Sequence, residues 1–171
     1  SSGCMPRSTE SSEVGIKYCK FWCGQEKIEI VPPGQTVFVV PFKSDWYTLS
    51  IQMQSLYMTA DAVSGDRKQR DDIIFKTKEG NDIAQDVIVT WRLDYQRAKK
   101  IIEQVGDDIQ SIQEKYVRPL ARSIVRDYLN ELESSEFYES QRRFEEAARA
   151  TQTLQQRFAA YGILVDKVNL K

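Results

Sequence analysis

The sequence predicts an α+β fold: a twisted antiparallel sheet packed on amphipathic helices, with a C-terminal strand that returns beside the sheet. Three observations predict it. From Glu13 to about Asp94 the chain favours β-forming residues, and its clearest segments alternate apolar and polar side chains with the period of a strand. From Asp94 to Tyr161 apolar residues recur every third or fourth position, the period of a helix. After Gly162 the segment Ile163–Leu170 is again rich in β formers.

Residues 1–12 are polar and Ser-rich, so we expect a flexible tail or linker, with one folded domain over 13–171. Val14 to Trp22 reads as a strand, Gly24-Gln25 as a turn, and Lys27 to Val31 as a cleanly alternating second strand. Pro32-Pro33-Gly34 breaks the chain before the short apolar run Gln35 to Phe42, which Pro41 stops. Trp46 to Thr59 is expected as one extended run with Leu49, Ile51, Met53 and Ser55 on one face. Ser64 to Asp72 is expected as a solvated charged loop, because its aspartates lack the alternate spacing of a calcium loop. Ile73 to Thr77 and Asp82 to Asp94 form a hairpin around Lys78-Glu79-Gly80-Asn81, with Ile83, Gln85, Val87, Val89, Trp91 and Leu93 sharing a face.

Asp94 is placed to N-cap a short helix that Gly106 ends, and Asp107 or Asp108 to cap the next. That second helix carries a stripe from Ile109 through Ile112, Tyr116, Leu120, Ile124, Tyr128 and Leu132, with Pro119 inside it as a kink. A third helix starts at Ser134 or Ser135, with a stripe of Phe137, Phe144, Ala147 or Ala148, Thr151, Leu154, Phe158 and Tyr161. Gly162 then suits the residue just past its end.

Composition bounds the chemistry. With 24 basic and 25 acidic residues the net charge is −1, which gives no global attraction to nucleic acid. There is no histidine, which excludes His bases, His-activated nucleophiles and His metal ligands. We expect no cofactor and no metal. Cys4, Cys19 and Cys23 are an odd set. On a strand Cys19 and Cys23 would stand roughly 13 Å apart, beyond the about 7 Å a disulfide tolerates. They pair only if the chain turns at Trp22-Cys23-Gly24, and two half-buried thiols are the expected state. The chain starts without Met, so residues upstream are expected. Ser1-Ser2-Gly3-Cys4 resembles the end of a bacterial lipoprotein signal, which makes Cys4 a candidate lipid anchor; Ser1 stands where that signal usually has Leu, and an arbitrary start is the plainer reading.

Four segments in order resemble one family. Val31-Pro32-Pro33-Gly34-Gln35-Thr36-Val37-Phe38-Val39-Val40-Pro41-Phe42 is similar to the "PG, short apolar run, PF" segment of the SPFH or band-7 domain of stomatins, prohibitins and flotillins. Thr77-Lys78-Glu79-Gly80 resembles that family's hairpin turn, with Glu79 in place of the usual Asp. Tyr116 to Ser123 resembles its Arg-bearing helix, and Tyr161-Gly162-Ile163-Leu164-Val165-Asp166-Lys167-Val168 its closing strand. The Ser64–Asp72 loop is longer and more charged than the family pattern.

The resemblance implies a non-catalytic, membrane-associated scaffold that organises membrane proteins and lipids by self-assembly. An alternative is a regulator that cages or docks onto a membrane protease. Implied partners are membrane lipid, membrane proteins and further copies of the chain, without nucleic acid. Anchoring would come from a segment upstream of residue 1 or from lipidation, and a coiled coil beyond Lys171 would drive ring assembly. The remaining, enzymatic alternative is a carboxylate-dependent hydrolase using a pair such as Asp71 and Asp72 or Asp107 and Asp108.

Two groups are candidate sites. Val37, Phe38, Val40, Phe42, Trp46 and Tyr47 concentrate apolar bulk in a short stretch. They are either core or a membrane-facing edge, where Trp and Tyr are favoured. Arg118, Arg122 and Arg126 share a helix face. They are either lipid-headgroup and partner contacts or a solvated face paired with Glu114, Asp127 and Glu131.

Overall fold

The computed structural model describes residues 3–171; Ser1 and Ser2 of the lipoprotein-like opening lie outside the described residues. The chain divides into two compact units. One takes the residues up to Gln52 together with Leu93–Ile112, and the other takes Met53–Arg92 and Gln113–Lys171.

The first unit is built on strands β1 (Met5–Ser8), β2 (Glu13–Cys19), β3 (Ile28–Val31), β4 (Thr36–Val39) and β5 (Ser44–Ser50), with helices α1 (Ala98–Gln104) and α2 (Ile109–Ile112). β2 lies between β3 and β5, antiparallel to both. Val14 and Ile16 of β2, Val31, Leu49 and Ile101 are fully or almost fully buried and make this unit's core. The expected tail is corrected here: Met5–Ser8 pairs antiparallel with β4, Met5 opposite Val39 and Ser8 opposite Thr36. The Thr9 hydroxyl extends that seam by donating to the Pro32 carbonyl at 2.7 Å. β1 has only exposed side chains, so no apolar pattern marked it; backbone pairing with β4 makes the strand. The Asp94 carboxylate caps the turn into α1 by accepting from the Gln96 amide, as its sequence position predicted. Asp108, not Asp107, caps the next helix by accepting from the Ser111 amide at 2.8 Å.

The second unit holds β6 (Gln54–Met58), β7 (Ile73–Lys76), β8 (Asp82–Gln85), β9 (Val87–Leu93), α3 (Arg118–Leu129), α4 (Ser134–Tyr138), α5 (Ser140–Ala159) and β10 (Ile163–Leu170). The expected long strand from Trp46 to Thr59 is therefore two, β5 and β6, separated at residues 51–53 and placed in different sheets. β7 and β8 form the expected hairpin, turned through Gly80 at φ +87°, but its second arm ends at Gln85, and β9 is a separate strand in another sheet. β10 returns beside β9 in the order β10-β9-β6. The Lys171 amide donates to Asp86 and the Thr90 hydroxyl to the Lys167 carbonyl, so β9 and β10 run in opposite directions. Trp91 is completely buried in this unit, and its Nε1 donates to Gln113. Gly162 sits at φ +76° and releases the chain from α5 into β10.

The expected long α-helix is interrupted ahead of Pro119, although the backbone stays helical from 109 to 129. A π-helical turn, Gln113–Val117, directly precedes α3, and Pro119 stands in the first turn of α3. The third helix is likewise broken, at the extended Glu139 between α4 and α5. α4 begins with a reciprocal capping box between Glu133 and Glu136. Ala147, Ala150, Leu154 and Phe158 carry the buried stripe of α5, while Phe144 and Tyr161 of the expected stripe are exposed.

Candidate membrane-facing surface

Two loops of the first unit build the surface. At the end of β2 the chain turns sharply, and Cys19 and Cys23 are joined by a disulfide across a Cα separation of 5.8 Å. Two half-buried thiols were expected, and the reason they pair is local: Trp22 adopts φ +52°, a left-handed turn that no strand contains. The Cys19 amide still donates to Lys27, so the loop leaves from a closed hairpin base. The second loop follows β4. Its Ser44 amide donates back to Val40 at 3.2 Å, and Phe42 within it takes φ +69°. The Lys20 amide donates to the Lys43 carbonyl at 2.8 Å, which fastens the two loops side by side.

Trp22 and Phe42 are the two non-glycine residues with positive φ among the described residues, and each is 92% exposed. For a bulky L residue this conformation costs about 1–2 kcal/mol. Leaving two aromatic rings in water adds a further penalty. Both costs fall on one place. An open groove of about 650 Å³ is lined there by Met5, Phe21, Trp22, Val40, Phe42 and Lys43, with Gly3 and Pro41. Phe21 and Trp22 face each other at 6.4 Å between ring centroids. No carboxylate lines the groove among the described residues. Lys20 and Lys43 flank the two aromatic tips in sequence, Lys20 pairing with Asp45 at 2.6 Å.

The apolar run divides between exposed tips and packed residues. Phe38 and Phe42 are exposed, and Val37 and Val40 are half-buried. Trp46 and Tyr47 do not line this groove: both are half-buried and share a second one. The Trp46 ring lies on Gly15, where a Cβ would come within 2.0 Å of it. Tyr18 and Asp107 line that second groove with Tyr47; burial first, then those neighbours, raises the Tyr47 hydroxyl pKa.

The arginine group divides too, within the second unit. Arg118 is 2% exposed: its guanidinium reaches Asp71, Asp66 and both Glu114 oxygens. Arg122 grips Asp71 and donates to the carbonyls of Asp71 and Asp72. These two are thus anchors of the Ser64–Asp72 loop, not surface contacts for headgroups. Residues 64–70 of that loop are solvated as expected, Gly65 alone being half-buried, but its end is not. Asp71 and Asp72 are buried, and Arg70 holds Asp72 through two bonds of 2.7 Å. Carboxylates so occupied are not free for the acid–base role of the hydrolase alternative. Arg126 alone of the three is exposed, in a shallow site with Lys76, Asp82 and Asn130. Cys4 is a free, exposed thiol beside Gly3 and Met5 of the groove. Among the described residues no acidic or cysteine cluster can hold a metal ion, and no helix is long and apolar enough to cross a membrane.

Sequence reasoning missed Met5, Phe21 and Trp22. The signal was present as an aromatic pair enclosed by Cys19 and Cys23, and the strand geometry assumed for that segment hid it. No curated protein matches the sequence. A family model described as SPFH domain / Band 7 family matches residues 7–171. That match starts inside β1, takes in both units and runs through β10 to the last residue, so the chain belongs to the SPFH domain / Band 7 family.

Proposed function

We propose that the chain is a non-catalytic, membrane-associated scaffold domain that meets the lipid surface through the loops around β4. Its family is membrane-associated in general and generally non-enzymatic. The observation that carries the reading is the joint exposure of Phe38 and Phe42 beside an apolar groove free of carboxylates. Soluble surfaces seldom gather large apolar side chains this way unless something covers them. Such side chains each contribute about 1–3 kcal/mol when buried. That orients a domain held by an upstream segment or a lipidated Cys4 more than it holds one alone. Self-assembly with further copies, through a coiled coil beyond Lys171, completes the scaffold. Docking onto a membrane protease is the alternative partner, and it draws on the same family membership.

The test is co-sedimentation with phosphatidylcholine–phosphatidylserine vesicles. The Phe38→Ser/Phe42→Asn double variant should lose about 2–4 kcal/mol of membrane affinity. Asn tolerates the left-handed backbone at position 42, so thermal stability should hold. Equal binding by the variant and the unaltered chain would defeat the reading.

A further inference from the structure

Resting on that reading, we propose that the Cys19–Cys23 loop is itself a bilayer-insertion element. Trp22 enters the interfacial zone of an anionic bilayer beside Phe42, and Lys20 and Lys43 lie at headgroup depth. Three features of the loop point to this occupant. First, the disulfide closes a very short loop whose interior residues Lys20, Phe21 and Trp22 are all exposed, so the cross-link presents them outward and fills no core. Second, the order Lys20-Phe21-Trp22 in one loop is mirrored by Phe42-Lys43 in the other, and the Lys20–Lys43 backbone bond sets the two side by side. Exposed rings with lysines adjacent to them in sequence suit the layering of an anionic bilayer, where Trp and Phe favour the interface and Lys the phosphates. Third, the groove between the tips is apolar and lacks carboxylates among the described residues. Asp45, the acidic partner of Lys20 beside it, is held in an ion pair at 2.6 Å, so Lys43 is the cation left to a bilayer of negative surface potential.

The strain falls into place on this account. A flat docking face would not need left-handed backbone at two bulky aromatic residues, whereas a tip that must project past its own loop does. The disulfide restricts the loop to the projecting form, so insertion does not have to order it.

Trp22 reports its own position. Trp91 is fully buried and Trp46 is packed on Gly15, so a change in emission that disappears in Trp22→Asn belongs to position 22. The experiment adds vesicles of phosphatidylcholine and phosphatidylserine carrying a quencher at a defined acyl depth. Shallow-quencher vesicles should quench the unaltered chain, and Trp22→Asn should abolish the quenching and weaken binding about ten- to hundredfold. Lys43→Gln should weaken binding roughly fivefold and reduce its salt dependence, and Lys20→Gln should do so less. Cys19→Ser/Cys23→Ser should weaken it too while the thermal unfolding transition persists. Vesicle binding that Phe42→Asn weakens and Trp22→Asn leaves unchanged would overturn this proposal and spare the membrane reading. Absence of binding by the unaltered chain would overturn both. Loss in Trp22→Asn of self-association, with vesicle binding intact, would assign the loop to a second copy and overturn the proposal as well.

Discussion

Arg118→Met should destabilise the chain by about 3–5 kcal/mol in urea unfolding, because it removes the central partner of a buried charge network and leaves the others uncompensated. Arg118 satisfies three carboxylates, on Asp66, Asp71 and Glu114, and the loop carrying the first two has few apolar contacts to replace them. Arg118→Lys should recover little of the loss, since an ammonium cannot reproduce the fork that reaches Asp71 and Glu114 together. Replacing both members, in Asp71→Leu/Arg118→Met, should cost less than Arg118→Met alone, because no charge is then stranded.

The network also sets an acid limit. The Arg70 hydrogen bonds hold the Asp72 carboxyl below its usual value of 3.8. Burial pushes Glu114 upward, but its bonds to Arg118 and Arg67 outweigh that and hold it below 4.5. Carboxylates depressed in the folded state contribute stability that is complete above their ordinary values and is lost as pH falls through the folded ones. Stability should therefore fall as pH drops below 4.5, and Arg118→Met should flatten that fall by removing part of its cause.

Gly15→Ala should cost about 2–3 kcal/mol, the upper end for overpacking a filled site. Its new Cβ would stand 2.0 Å from Cη2 and 2.7 Å from Cζ2 of Trp46, and 2.8 Å from the Thr9 methyl. The contacts are with the rigid ring itself, so β5 or the Trp46 rotamer must shift. The measurement is the unfolding midpoint together with Trp46 emission, which should move to the red as the ring loses its cover. A variant of unchanged stability and unchanged emission would mean that Trp46 is free to leave its place, as a membrane-facing residue would be.

Periodicity made the fold legible wherever burial on one face decides the structure. The alternation through Val87, Val89, Trp91 and Leu93, the Asp94 cap and the Gly162 turn into β10 all stand where the residues placed them. It failed where backbone pairing or charge decides. β1 has no buried side chain to leave a pattern, and Asp71 and Asp72 looked solvated like the rest of their loop because charged residues usually are. Arg118 could not be told from a surface arginine, since its four-residue spacing from Glu114 and Arg122 fits either state. At the candidate surface, Phe38 and Phe42 were legible as more apolar bulk than a single buried face can take. Trp22 was not, because only the turn that pairs Cys19 with Cys23 brings it beside them.

The central claim, that the paired loops of the first unit meet the lipid, is tested most directly by hydrogen exchange with and without phosphatidylserine-containing vesicles. The account predicts slowed exchange at amides of residues 20–25 and 38–43, with the amides of α3 and α5 unchanged. Protection centred on α3 around Arg126 or on α5, with both loops exchanging as they do in free solution, would contradict it.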